Sequence, residues 1–135
     1  MHFHLLRLSF VYLLAGMLLG VGMGASGDFT LRPVHAHVNL LGWAVLAIAA
    51  LMLRAYPHLH ADWRFRGFVW TYNIAMPASL AALAAMLLSL RHAGGASALA
   101  SVLKGVAIAS SLGLLASVVL LLAALSRPPA DAAQT

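Results

Sequence analysis

Four long apolar runs, separated by the chain's few charges, restrict the possible folds more than any other feature. The first lies between Arg7 and Asp28, the second between Arg32 and Arg54, and the third between Arg66 and Arg91. The fourth covers residues 97–125 and is interrupted only by Lys104 near its start. Each is long enough for the ~20 residues an α-helix needs to cross a hydrocarbon core. In lipid every backbone N–H and C=O must be satisfied within the segment, so spans of this length are helices. With 63% hydrophobic and only 8% charged residues, the 135-residue chain has too little polar surface to cover a water-soluble globule. The expected fold is therefore all-α, a four-helix transmembrane bundle. Its helices are predicted over about residues 5–25, 34–54, 67–90 and 98–125 within one membrane domain, 1–127. Connections fall at 24–33, 56–65 and 92–96, and Pro128-Pro129 opens a disordered tail, 128–135.

The charges also set an orientation. Arg7, Arg54, Arg64, Arg66 and Arg127 share one side of such a bundle, whereas Arg32, Arg91 and the snorkelling Lys104 share the other. The positive-inside rule then puts both termini in the cytoplasm, which for a bacterial chain means a multi-pass protein of the inner membrane. Tyr56, Trp63, Phe65, Phe68 and Trp70 would form an aromatic belt at the inner interface. A net charge of +5 spread singly between apolar runs is not a nucleic-acid footprint, and the expected surroundings are membrane lipid. The first run could alternatively be a cleaved signal peptide, with Arg7 as its basic region. Its length and its Gly16-xxx-Gly20-xxx-Gly24 pattern favour a retained span.

That glycine pattern has a counterpart in the fourth run: Ser97, Ser101, Gly105, Ala109, Gly113 and Ser117. Small residues every four positions let helix backbones approach closely, either within one bundle or between subunits. Tyr72 and Asn73, ahead of a kink at Pro77, are expected to make interfacial or interhelical hydrogen bonds.

Chemistry concentrates at the start of the second run, where His35 and His37 enter an apolar helix. An ionisable side chain inside a membrane marks a functional site by default. Two residues apart on a helix, the two imidazoles point about 200° away from each other, so they cannot hold one metal from one face. His35, Asn39 and Trp43 share one face by their four-residue spacing, and His37 shares another with Leu41 and Ala44. His92 is expected at the same depth. His2, His4, His58 and His60 lie at the other end and read as solvated. The sequence has no Cys, which removes disulfides, iron–sulfur clusters, thiolate zinc sites and covalently attached haem. Its only acids are Asp28, Asp62 and Asp131, all outside the apolar runs, so a buried carboxylate proton relay is not built here.

The segment Pro33-Val34-His35-Ala36-His37, followed by Gly42-Trp43, resembles subunit I of the haem-copper oxidase superfamily, most closely its cbb-type and nitric-oxide-reductase branches. It is also similar to small four-span bacterial proteins classed as oxidase-subunit-I-like, whose likeness extends from Met23-Gly24 through Trp43. Subunit I contains twelve helices in three four-helix pseudo-repeats, with haem ligands on the second helix of a repeat. The resemblance thus implies b-type haem near the outer face, held by His35 or His37, with His92 or a neighbouring subunit supplying the second ligand. Arg32 and Arg91 would pair with the propionates. It further implies electron transfer or diatomic-gas binding linked to respiratory or nitrogen-oxide enzymes. A homo-oligomer follows by analogy, a trimer imitating the twelve-helix ring or else a dimer. The chain departs from the family in lacking a separate copper-site histidine cluster, a Tyr–His pair and a proton-channel carboxylate, so it is not a complete oxidase by itself. Two other readings come from the residues alone. One is copper or zinc handling at the periplasmic face by His35, His37, His92 and Met23, since imidazole and thioether suit copper. The other is a structural assembly subunit without cofactor.

Overall fold

The computed structural model describes residues 1–93 and 98–126, the side chains of residues 91–93 excepted. Four helices follow one another: α1 His2–Ser26, α2 Arg32–Ala55, α3 Trp63–Ala93 and α4 Ala98–Leu125. All four contain stretches long and apolar enough to cross a membrane, and no strand occurs among the described residues. The chain is a multi-pass membrane protein of four helices. Large apolar side chains such as Leu18, Val21, Ile74, Leu112 and Leu122 are exposed all along the outside, where lipid replaces water as solvent.

Local chemistry explains the element ends. Gly27 closes α1 with a φ of 68°, a left-handed conformation that costs glycine nothing. Asp28 Oδ1 then accepts the Thr30 backbone N–H at 3.0 Å and the Thr30 hydroxyl at 2.7 Å, turning the chain toward Pro33 in the first turn of α2. Between α2 and α3 a short 3₁₀ turn, Pro57–His60, leads to Asp62, whose Oδ1 caps the Arg64 N–H at 2.8 Å. Arg64 in turn donates to the Ala123 carbonyl at 3.3 Å near the end of α4.

The helices pack as two hairpins, α1 against α2 and α3 against α4, joined along α2 and α3. The main core lies toward the end that holds the α2–α3 connection and includes Leu5, Leu53, Leu59, Phe65, Phe68 and Tyr72. Here the expected aromatic belt needs correction. Tyr56, Trp63 and Trp70 are exposed, but Phe65 and Phe68 are fully buried and stack edge-on at 5.6 Å. Five neighbouring aromatics of similar polarity carry no sequence mark of which faces inward. Asn73 also differs from expectation, because its amide donates to Val69 of its own helix at 2.7 Å. Tyr72 does cross between helices, donating to the Leu41 carbonyl at 2.9 Å.

Leu41 belongs to the least regular part of the bundle. Residues Val38–Val45 of α2 form a π-helical stretch, whose i→i+5 bonding widens the turn and breaks the four-residue register. Tyr72 supplements one carbonyl of that stretch. Gly42, in its middle, is where three helices meet: an added Cβ would lie 2.7 Å from Tyr12 Cγ of α1 and 2.8 Å from Met76 Cε of α3. Gly42→Ala should therefore cost about 1–3 kcal/mol, the usual range for overpacking a filled core. Thermal unfolding in detergent measures it, and an unchanged Tm would show that α1 and α3 yield freely at this point.

Candidate functional site

The α2 start places His35 and His37 against different neighbours, as their two-residue spacing requires. His35 turns toward α1. Its Nδ1 lies 2.8 Å from the Gly16 carbonyl, and since a carbonyl only accepts, Nδ1 carries the proton. Nε2 is left as the acceptor, 3.3 Å from the Asn39 amide, which also donates to the His35 carbonyl at 3.1 Å. Gly20 gives the ring its space: a Cβ there would lie 2.9 Å from His35 Cε1. The Asn39 amide packs on Gly16 in the same way, and its Oδ1 is buried without a hydrogen-bond partner among the described residues. The first two glycines of the α1 pattern thus form a cradle for the His35–Asn39 pair, whereas Gly24 meets nothing within 4 Å. Both His35 nitrogens are engaged, which makes this histidine an interhelical tether.

His37 is arranged differently. It is exposed, and its Nδ1 donates to the Pro33 carbonyl at 2.7 Å, one turn back on the same helix. That bond fixes the tautomer and leaves the Nε2 lone pair without a partner among the described residues. Metal-ligating histidines are oriented by such a bond from the other ring nitrogen. The ring borders a cleft of about 230 Å³ among α2, α3 and α4, walled by Leu41, Met76, Leu80, Leu83 and Met86, with Ser79 and Ser111 as its polar members besides His37. A larger cleft of about 470 Å³ between α3 and α4, around Trp70, Ala75 and Gly113, contains no titratable side chain. Of these two clefts, the smaller is the one lined by an imidazole.

The other expected site residues are dispersed. Arg32 lies over the Phe29 ring, its guanidinium carbon 5.2 Å from the ring centre, at the mouth of α2. Trp43 falls inside the π-helical stretch and is exposed, while Gly42 and Leu46 beside it are buried. The face shared by His35 and Asn39 therefore stops short of Trp43, because i→i+5 bonding displaces the fourth residue. The Arg91 and His92 side chains lie outside the described residues, as do Ser97, Arg127 and the tail. Met23 is buried in a separate pocket beside Leu19, Leu31 and Leu88, away from His37. Among the described residues no three His, Cys, Asp or Glu side chains come together to hold a metal ion. Of the copper-or-zinc set, His35, His37 and Met23 have separate surroundings, and the fourth member, the His92 side chain, lies outside the described residues. The sequence missed Met76, Met86, Ser79 and Ser111, since only packing reveals which side chains of α3 and α4 face His37.

The DUF2871 family model, described as a protein of unknown function, matches residues 3–128. The chain belongs to this family. No curated protein and no solved structure matches it. The match takes in all four helices, so the His35 tether and the His37 cleft both lie within the DUF2871 region.

Proposed function

We propose that this protein binds b-type haem in the bacterial inner membrane, with His37 as an axial ligand, for electron transfer or diatomic-gas binding. The supporting observation is the state of His37: an exposed imidazole whose Nδ1–H is held by Pro33 and whose Nε2 lone pair has no partner among the described residues, beside an apolar cleft. The resemblance of the α2 start to haem-copper oxidase subunit I points to the same chemistry. Haem would supply an iron for one-electron transfer when both axial positions are filled, or a gas site when one stays open.

The chain's own residues have narrower tasks. His37 offers the donor nitrogen, and Pro33 keeps that nitrogen unprotonated and the ring fixed in direction. Leu41, Leu80 and Leu83 give an apolar wall that excludes water. Arg32, one turn and a half before His37, places a cation at the outer mouth where a propionate would lie. At about 230 Å³ the cleft is smaller than the roughly 300–1,000 Å³ usual for ligand pockets, so the macrocycle would be only partly enclosed by one chain. The rest of its cover, and a second ligand, would come from another copy or from His92. A homo-oligomer, trimeric or dimeric, is part of this proposal. The test is the absorption spectrum of protein purified from haem-replete cells. A Soret band at stoichiometric amount supports the reading, and its absence from folded protein overturns it.

A copper reading draws on one further observation, the thioethers of Met76 and Met86 lining the same cleft as His37. Metal analysis of the same sample distinguishes it, because copper without a Soret band would replace haem.

The orientation is proposed from the charges, with both termini cytoplasmic. Reporter fusions after Asp62 and at the C-terminus should report cytoplasm, and fusions at Asp28 or Gly94 the outer compartment. The reverse pattern would place His37 at the cytoplasmic face.

A further inference from the structure

Four of the chain's seven histidines lie at the end opposite the His37 cleft: His2 and His4 at the start of α1, His58 and His60 on the 3₁₀ turn after α2. The fold sorts these four. His2 and His60, from separate elements, come within 6.3 Å between ring centres, with their planes 74° apart. His4 is two residues from His2 and so points about 200° away around the helix. His58 stacks instead beside Tyr56 at 6.1 Å. Neither the His2 nor the His60 ring hydrogen-bonds to any described residue, so both keep ring nitrogens available.

Their backbones are held in place. Leu5, one turn after His2, is 5% exposed and Leu59, adjacent to His60, is 0% exposed; both belong to the main core. The backbone positions that carry the two imidazoles are therefore anchored by core packing, which lowers the ordering cost of binding anything between them. Metal–imidazole bonds of about 2.0–2.1 Å place the ring centres of two histidines on one ion within roughly 6.5 Å of each other. The observed 6.3 Å lies at the long end of that range, and rotation of the side chains about their own bonds brings the rings closer.

We propose that His2 and His60 together bind a borderline divalent transition metal, Cu²⁺ or Zn²⁺, which clips the start of α1 to the α2–α3 connection. Two neutral nitrogen donors with water in the remaining positions suit these ions, with Cu²⁺ the tighter by the general order of divalent affinities. Ca²⁺ and Mg²⁺, which need oxygen ligands, are excluded by the donor set. The site lies apart from the His37 cleft and does not depend on it.

Full-length protein, with any affinity tag removed, is titrated in detergent with ZnCl₂ and with CuCl₂ by calorimetry. One ion per chain and a metal-dependent rise in Tm are expected, since binding to the native state alone raises its stability. His2→Ala and His60→Ala should each weaken binding at least tenfold and abolish the Tm rise, while His4→Ala and His58→Ala change neither. Wild-type affinity in both His2→Ala and His60→Ala overturns the proposal. So does a loss confined to one of them, because the ion would then be held by a single element.

Discussion

His37→Ala should remove the Soret band from protein purified out of haem-replete cells, while His35→Ala should retain it in the fraction that folds. The two histidines are separated by a single residue, so composition, depth and helix identity are matched and only their surroundings differ. His35 has both nitrogens occupied, by Gly16 and Asn39, and is enclosed against Gly20. For it to reach an iron it would have to release both partners and leave the seam. Among the described residues His37 needs no rearrangement, because Nδ1 is satisfied by Pro33 and Nε2 meets no partner. Losing its axial nitrogen should leave at most a few per cent of the haem bound, whereas His35→Ala should cost about 1–3 kcal/mol of stability through the lost hydrogen bonds and the cavity left beside Gly20. Absorbance per mole of folded protein separates the two effects. A band that survives His37→Ala and vanishes with His35→Ala, at equal folded yield, would transfer the ligand to the other face of α2.

Much of this contrast is legible in the sequence, and the remainder shows what periodicity leaves out. Four helices follow from uncharged run lengths, since the bilayer dictates both span and hydrogen bonding, and the opposed directions of His35 and His37 follow from helical geometry. The roles of the two imidazoles do not. They depend on which neighbour stands opposite, and in a membrane chain nearly every face is apolar, so amphipathicity gives no inward direction. Phe65 and Phe68 were indistinguishable from Trp63 and Trp70 for the same reason: lipid-facing and core-facing positions share one chemistry. The π-helical stretch Val38–Val45 is a second source of divergence. Its register shift exposes Trp43, whereas Asn39, only one residue into the stretch, still returns its amide to His35. Gly42 is the single sequence mark of that region, because its missing side chain is what admits Tyr12 and Met76.

Small-residue stripes were readable as close packing, but not as packing between particular helices. Gly16 and Gly20 receive Asn39 and His35 of the same chain, and an added Cβ on Gly113 would lie 3.0 Å from Ala75 Cβ of α3. Those positions serve the fold of one chain. Gly105, two turns earlier on the α4 stripe, meets nothing within 4 Å among the described residues.

Gly20→Leu should accordingly break the α1–α2 hairpin and leave little folded protein. A leucine there occupies the volume of the His35 ring, since even its Cβ would approach Cε1 to 2.9 Å. The ring cannot retreat, because moving it surrenders the Gly16 carbonyl and strands a protonated Nδ1 in an apolar seam. The backbones must separate instead, which loses the packing that holds membrane helices together. A cost of about 3 kcal/mol or more is expected, at or beyond the upper part of the overpacking range. Gly105→Leu makes the complementary measurement, because its side chain enters open space within the chain. It should leave Tm unchanged and alter only association between copies, read by native mass spectrometry in mild detergent. If Gly20→Leu instead keeps a wild-type Tm and shifts the oligomeric state, α1 uses its glycines between subunits, and the His35 tether does not hold the hairpin together.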